Sequence, residues 1–266
     1  MPLSPEAEIA VRLGSAAMLF AALALWEWRA PRRSLVVGRR PRWFGNIAIL
    51  AVSHALVRLI MPVAEVGAAL FAAERGWGLL PFLSAPYWAA AILSVVALDL
   101  TIWAQHYVFH HVPVLWRLHR VHHADVEIDV TTGVRFHPLE IMLSLVIKMA
   151  AVIALGAPAA AVVAFEVLLN ATSMFNHTNV ALPAWLEPAA RWIIVTPQMH
   201  EVHHSTVRAE TDSNFGFNLP WWDRLFGTYR ARPAAGDAVV AGLPVFRDAS
   251  ERSLVRLLTQ PFRAAR

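Results

Sequence analysis

Eight of the histidines from His106 to His204 carry the chemistry that this chain can be expected to do. His106 and His110 stand four apart, His119, His122 and His123 form an HxxHH pattern, and His200, His203 and His204 form a second one, with His177 between them. Positions i, i+3 and i+4 share one face of a helix, so each set can aim its imidazoles at a common point. Neutral imidazole is the commonest side-chain ligand for borderline first-row metals. Eight clustered imidazoles exceed what one ion needs, which implies two. A lone histidine is more often a structural hydrogen-bonding group, the reading given to His54 and His111. Two HxxHH sets and a pair in one chain go beyond chance spacing.

No cysteine is present. That excludes disulfides, thiolate-ligated haem and cysteine-ligated iron–sulfur clusters. Nitrogen-rich ligation without thiolate leaves iron, zinc or copper.

The elements that must position these histidines are apolar. Of 266 residues, 57% are hydrophobic and 16% charged, which points to a polytopic membrane protein with an all-α helical bundle. The net charge of +4 does not call for nucleic acid, because the arginines gather beside hydrophobic runs. A first span is expected over Ile9 to Trp28. No cleavable signal peptide is expected, since Glu6 and Glu8 are acidic and no basic leader precedes them. Six arginines follow between Arg29 and Arg42, read as a solvated loop on the cytoplasmic side. A second span is expected over Trp43 to Ala73, kinked at Pro62, with Arg58 and Glu65 paired on one face. Glu74–Gly78 turns the chain back, and a third span runs from Pro86 to His106. Asp99 lies seven residues before His106, hence on the same face, where it could orient that imidazole or make a plain interhelix hydrogen bond.

Counting crossings from the arginine loop returns the chain to the cytoplasm as the histidines begin. The apolar block from Ile141 to Phe175 is broken at Gly156-Ala-Pro158 and suits two helices that go in and come back, as full spans or a re-entrant hairpin. Either way His177 returns beside the first sets. Trp185 and Trp192 suit the interface, and a final amphipathic helix is expected beyond Arg232. The organisation expected is therefore transmembrane helices over 1–98, a histidine-rich domain with its membrane hairpin over 99–232, and a tail over 233–266. The histidines would form a cytoplasmic di-metal cap.

The segments DLTIWAQHYVFH, LWRLHRVHH, TTGVRFHPLE, TPQMHEVHH and NFGFNLPWWDRLFGTYR together resemble the fatty acid hydroxylase superfamily, also called the sterol desaturase family, of membrane non-haem di-iron oxygenases. The resemblance spans Asp99 to Arg230. It implies two irons held by His106, His110, His119, His122, His123, His200, His203 and His204, with His177 as a ninth ligand and His137 as a group behind the ligands. The chain departs from the pattern in two places. Val180 and Ala181 stand where some relatives have a further histidine, and Tyr107 stands where many have arginine. The activity implied is O2-dependent hydroxylation or desaturation of a lipid of sterol, hopanoid, carotenoid or fatty acyl type, in a bacterial inner membrane, with zinc able to replace iron in a purified sample. Electrons would come from an external ferredoxin or b-type cytochrome with its reductase, because no flavin, nicotinamide or haem motif is present.

Two other readings compete. His200-Glu201-Val202-His203-His204 satisfies the H-E-x-x-H pattern of zinc peptidases, in which the glutamate is the general base. That reading leaves the first five histidines without a role. A metal transporter would string its ligands through the spans rather than gather them at one face.

Overall fold

The computed structural model describes residues 5–61 and 65–264, so the expected kink at Pro62 lies outside the described residues. The first helix, α1 (Pro5–Arg29), covers the expected first span, although the side chains of residues 5–9 and 12 are also outside the described set. Then come α2 (Arg40–Ile60), α3 (Glu65–Arg75), a single turn α4 (Leu79–Phe82) and α5 (Tyr87–His111). The next helix, α6 (Pro113–His123), follows α5 after Val112. The hairpin is α7 (Pro138–Leu155) and α8 (Ala159–Asn176). Short helices complete the chain: α9 (Glu187–Ala190), α10 (Pro197–His203), α11 (Arg208–Thr211), α12 (Trp221–Leu225) and α13 (Leu254–Thr259). Among the described residues there is no strand beyond one isolated bridge, Ser205 to Ala241.

Four stretches are long and apolar enough to cross a membrane: Arg40–Phe82, Tyr87–His111, Pro138–Leu155 and Ala159–Asn176. Eighteen residues at ~1.5 Å each give α7 and α8 about 27 Å, close to the ~30 Å hydrocarbon core. Sequence-local signals set the ends of the hairpin. Pro138 occupies the first turn of α7, and the His137 imidazole accepts from Leu139 N–H as its cap. Gly156 ends α7 in the left-handed conformation at φ 66°. Gly78, at φ 118°, lies so close that a Cβ there would sit 2.2 Å from the Gly156 nitrogen, so the hairpin tip docks on the α3–α4 turn. In the layer between, Ala68 and Ala69 of α3 pack with Leu98 and Ile102 of α5, Val152 of α7, and Val162 and Phe165 of α8. Small residues let helix backbones approach closely where lipid removes most of the hydrophobic drive.

Two expectations are corrected here. Arg58 and Glu65 do not pair, because α2 stops at Ile60 and α3 starts at Glu65, which breaks the shared register. Arg58 is exposed, while Glu65 is buried in an ion pair with Lys148 of α7. The arginine loop is not merely solvated: Arg42 is fully buried, and Arg32 and Arg33 form ion pairs with Glu201. The final helix expected in the tail is the six-residue α13, with Leu257 buried against Ile49 and Val121 and Val255, Arg256 and Thr259 exposed.

Candidate metal centre

All nine histidines expected as ligands come together, in two adjacent groups. His106, His110, His119, His123 and His203 form one; His122, His177, His200 and His204 form the other. Within each group the candidate ligand atoms lie within 4.8 Å of one another. The groups share a wall, with the rings of His123 and His204 stacked at 4.5 Å.

Local structure explains the convergence. α5 and α6 are joined at Val112 with Pro113 in the first turn of α6, so the last turn of α5 and the last two of α6 face each other. The α7–α8 hairpin brings His177 back as the C-cap of α8. α10 starts on Thr196, whose side chain accepts from Met199 N–H, with Pro197 next; its seven residues carry His200 and His203 on one face. Phe136 stacks on His122 at 4.5 Å, and Phe215 packs edge-on against His106, His110 and His203. His54 and His111 are exposed and stand apart, each bonded to a carbonyl four residues earlier.

The hydrogen bonds fix which ring nitrogen is free. A carbonyl only accepts, so Nδ1–H of His106 donates to Phe215 (2.7 Å), that of His177 to Ser173 (2.6 Å) and that of His203 to Ser213 (2.7 Å). Nδ1 of His119 meets Glu140 Oε1 at 2.6 Å and Nδ1 of His110 meets Asp212 Oδ1 at 3.3 Å. In all five rings Nε2 is left as the lone-pair nitrogen. Those of His106 and His119 face each other at 2.9 Å, and that of His177 meets Nε2 of His122 and His204 at 3.1 Å and of His200 at 3.0 Å. Two lone-pair nitrogens as close as those of His106 and His119 repel unless a cation lies between them. Nε2 of His110 and His203 and both nitrogens of His123 are buried without a protein partner. The residues therefore fit two metal ions.

Burial also keeps these rings in the binding form. It pushes His119 and His177 down to about 3, and it holds His122, His123, His200, His203 and His204 well below the ordinary histidine value. At neutral pH the cluster is uncharged, and neutral imidazole is the state that ligates.

The two groups expected behind the ligands act elsewhere. Asp99 accepts from Asn218 Nδ2, Leu219 N–H and Trp222 Nε1, so it seats the 218–222 loop and does not touch His106. His137 caps α7 and its Nε2–H donates to the Leu258 carbonyl. The residue that reaches a ligand from this turn is Glu140, three positions on, within the same RFHPLE segment. Asp223 is a further support: it accepts from Phe215 and Gly216 N–H and from Trp103 Nε1, and so sets the carbonyl that holds His106. Glu201 is bonded to Arg32 and Arg33, so the H-E-x-x-H pattern offers no free general base.

Buried ion pairs fasten the rear of the site. Arg42 grips Asp125 through two nitrogens at 2.7 and 2.8 Å and Asp129 through a third at 2.6 Å. Burial alone would raise the Asp125 carboxyl, but Arg42 outweighs it and holds that group below the usual carboxylate range. Arg135 donates to the Val121 carbonyl at the end of α6, and Glu27 of α1 accepts from Val130 and Asn179 N–H.

Fold and site together define a helical membrane protein with two adjacent, buried, all-histidine groups. The fatty acid hydroxylase family model matches residues 91–228, from α5 through α12, and the chain belongs to that family. It is 28% identical over 173 residues to an ornithine lipid hydroxylase of Rhizobium tropici, covering 64% of this chain and 50% of that protein. It is 32% identical over 165 residues to the human alkylglycerol monooxygenase, covering 62% of this chain and 34% of the other. A very-long-chain aldehyde decarbonylase of Oryza sativa subsp. indica is 24% identical over 207 residues, 72% of this chain and 29% of that one. The chain thus spans half or less of the length of these relatives. No solved structure matches it.

Proposed function

We propose that the chain is a membrane-bound non-haem di-iron oxygenase that uses O2 and external electrons to hydroxylate or desaturate a lipid. The observation that carries this reading is the pairing of five and four buried imidazoles within a fatty acid hydroxylase domain. The relatives named above are a lipid hydroxylase, an alkylglycerol monooxygenase and an aldehyde decarbonylase, which supports a lipid or lipid-derived substrate. The buried donor set, all imidazole and without thiolate, fits a borderline first-row ion such as iron.

The irons would be held by His106, His110, His119, His123 and His203 on one side and His122, His177, His200 and His204 on the other. Once reduced, they would supply activation of O2 for attack on an unactivated C–H bond. The chain's own part is to hold the imidazoles neutral, fix their tautomers through Phe215, Ser173, Ser213 and Glu140, and exclude water with Phe136, Phe215 and Phe217. Ferredoxin or a b-type cytochrome would deliver electrons from the cytoplasm, toward which the histidine cap faces in this reading.

Metal analysis of protein prepared with iron should give close to two ions per chain, and lipid profiles of the native host with and without the protein should differ by an oxidised lipid. A single zinc that survives His106→Ala and His119→Ala would overturn the reading. Orientation is tested separately with single cysteines, since the chain has none of its own. Cysteines replacing the exposed Ser34 and Ala209 should resist an impermeant thiol reagent in intact cells, while one at Gly76 should label.

A further inference from the structure

The two histidine groups share one ligand chemistry and differ in what stands behind it. In the group of five, His119 leans on Glu140 and His110 on Asp212. In the group of four, only His177 has an acceptor at Nδ1, a backbone carbonyl; Nδ1 of His122, His200 and His204 has none among the described residues. Both carboxylates therefore stand behind the same group.

Glu140 is unusual in a second way. It is 4% exposed, its Oε2 has no hydrogen-bond partner among the described residues, and its only ion-pair partner there is the His119 imidazole. Asp125 shows the contrast, since it is as deeply buried yet matched by Arg42 and Arg135. A buried carboxylate without a cation is costly. A cation on the far side of the ring that it holds would balance Glu140.

We propose that Glu140, assisted by Asp212, makes the two metal positions unequal: the five-histidine position fills first and favours the more oxidised ion. This rests on the di-metal reading above. A carboxylate behind an imidazole orients the ring and makes its other nitrogen a stronger donor. Its negative charge also lies one ring away from the ion, in an interior that screens it poorly. Both effects act on the group of five and neither on the group of four.

The test uses the full chain in detergent, stripped of metal and titrated anaerobically with 57Fe(II), read by Mössbauer spectroscopy. One quadrupole doublet should dominate at one equivalent and a second should grow toward two. His200→Ala, which removes a nitrogen from the group of four, assigns the doublets. Glu140→Gln keeps an oxygen that accepts from His119 Nδ1–H but removes the charge. It should weaken the first site by ~10–100-fold, so that the two doublets grow together. Asp212→Asn should act in the same direction with a smaller effect.

Doublets that grow together in the unmodified protein, or a filling order unchanged by Glu140→Gln, would overturn the proposal. If Glu140→Gln loses its helical circular dichroism, Asp212→Asn decides in its place, and an unchanged order there overturns it. A protein that takes up only one equivalent would instead strike the di-metal reading itself.

Discussion

In the layer built from α3, α5, α7 and α8, contact is made by Ala68, Ala69, Leu98, Val152, Val162 and Phe165. In the cap beyond it, contact is made by Arg42, Asn46, Asp125, Asp129, Thr132 and Arg135, every one buried and bonded to another. The apolar layer tolerates change because its outer face meets lipid and its inner face holds by shape. The cap cannot, since each polar group there is satisfied by a specific partner, and the removal of one leaves another buried and unpaired. A fold that must aim nine imidazoles gains from such a cap, which has a single low-energy arrangement, whereas an apolar interior accepts many.

The sharpest way to break that contrast is Arg42→Ala. It leaves Asp125 and Asp129 buried without their main cation, a loss expected to cost about 3–5 kcal/mol. Thermal unfolding in detergent should show a large drop in Tm together with reduced metal retention. An unchanged Tm would mean that the cap is as forgiving as the layer.

Gly133→Ala comes next. A Cβ there would lie 2.5 Å from the Ser173 carbonyl, the acceptor of His177 Nδ1–H. The forced shift should cost ~1–3 kcal/mol and lower metal content, with the loss falling on the group of four. Equal loss from both groups would show that the two are not separately anchored.

The metal-free protein should also be acid-sensitive within a defined window. Above about pH 6.5 His119 and His177 are neutral in both the folded and the unfolded chain. Below it the unfolded chain takes up protons that the folded one refuses until about pH 3, so stability falls steadily across that interval. Denaturant midpoints measured from pH 7 to pH 4 should decrease, and a flat profile would refute the burial argument. The smallest effect is expected in the layer itself. Leu93→Ala, at a side chain 51% exposed on α5, should change stability by no more than ~0.5 kcal/mol.

Much of the helical plan is readable along the chain, because hydropathy and helix-breaking residues are local signals. The break at Gly156 and the HxxHH spacings identify the hairpin and the faces that carry imidazoles without any tertiary knowledge. What stays hidden is whatever depends on a distant partner. Arg42 reads as one of six arginines in a polar loop, and its partner Asp125 lies 83 residues away. Asp212 meets His110 across 102 residues, and no periodicity announces that contact. Glu140 stands in the RFHPLE segment, but the histidine there draws the reading to itself, and only the path of α7 shows that the carboxylate is the one facing a ligand. Asp99 illustrates the converse. Its helical register with His106 is correct, yet the 218–222 loop satisfies its carboxylate first.

The order in which the ligands leave the ribosome has a consequence for how the protein matures. His106 is made early and His204 almost a hundred residues later, after the hairpin has gone into and out of the bilayer. In the di-metal reading no position would be complete until that return, so the ion would be acquired by a chain already inserted. An ion held there then ties distant segments like a clasp, and a clasp across a long loop stabilises by removing freedom from the unfolded chain, the more so the longer the loop. The arginine clamp on Asp125, assembled from α2 and the end of α6, is complete before the second HxxHH helix exists. It can keep the first three ligands of α6 in place while the rest of the chain is still being made.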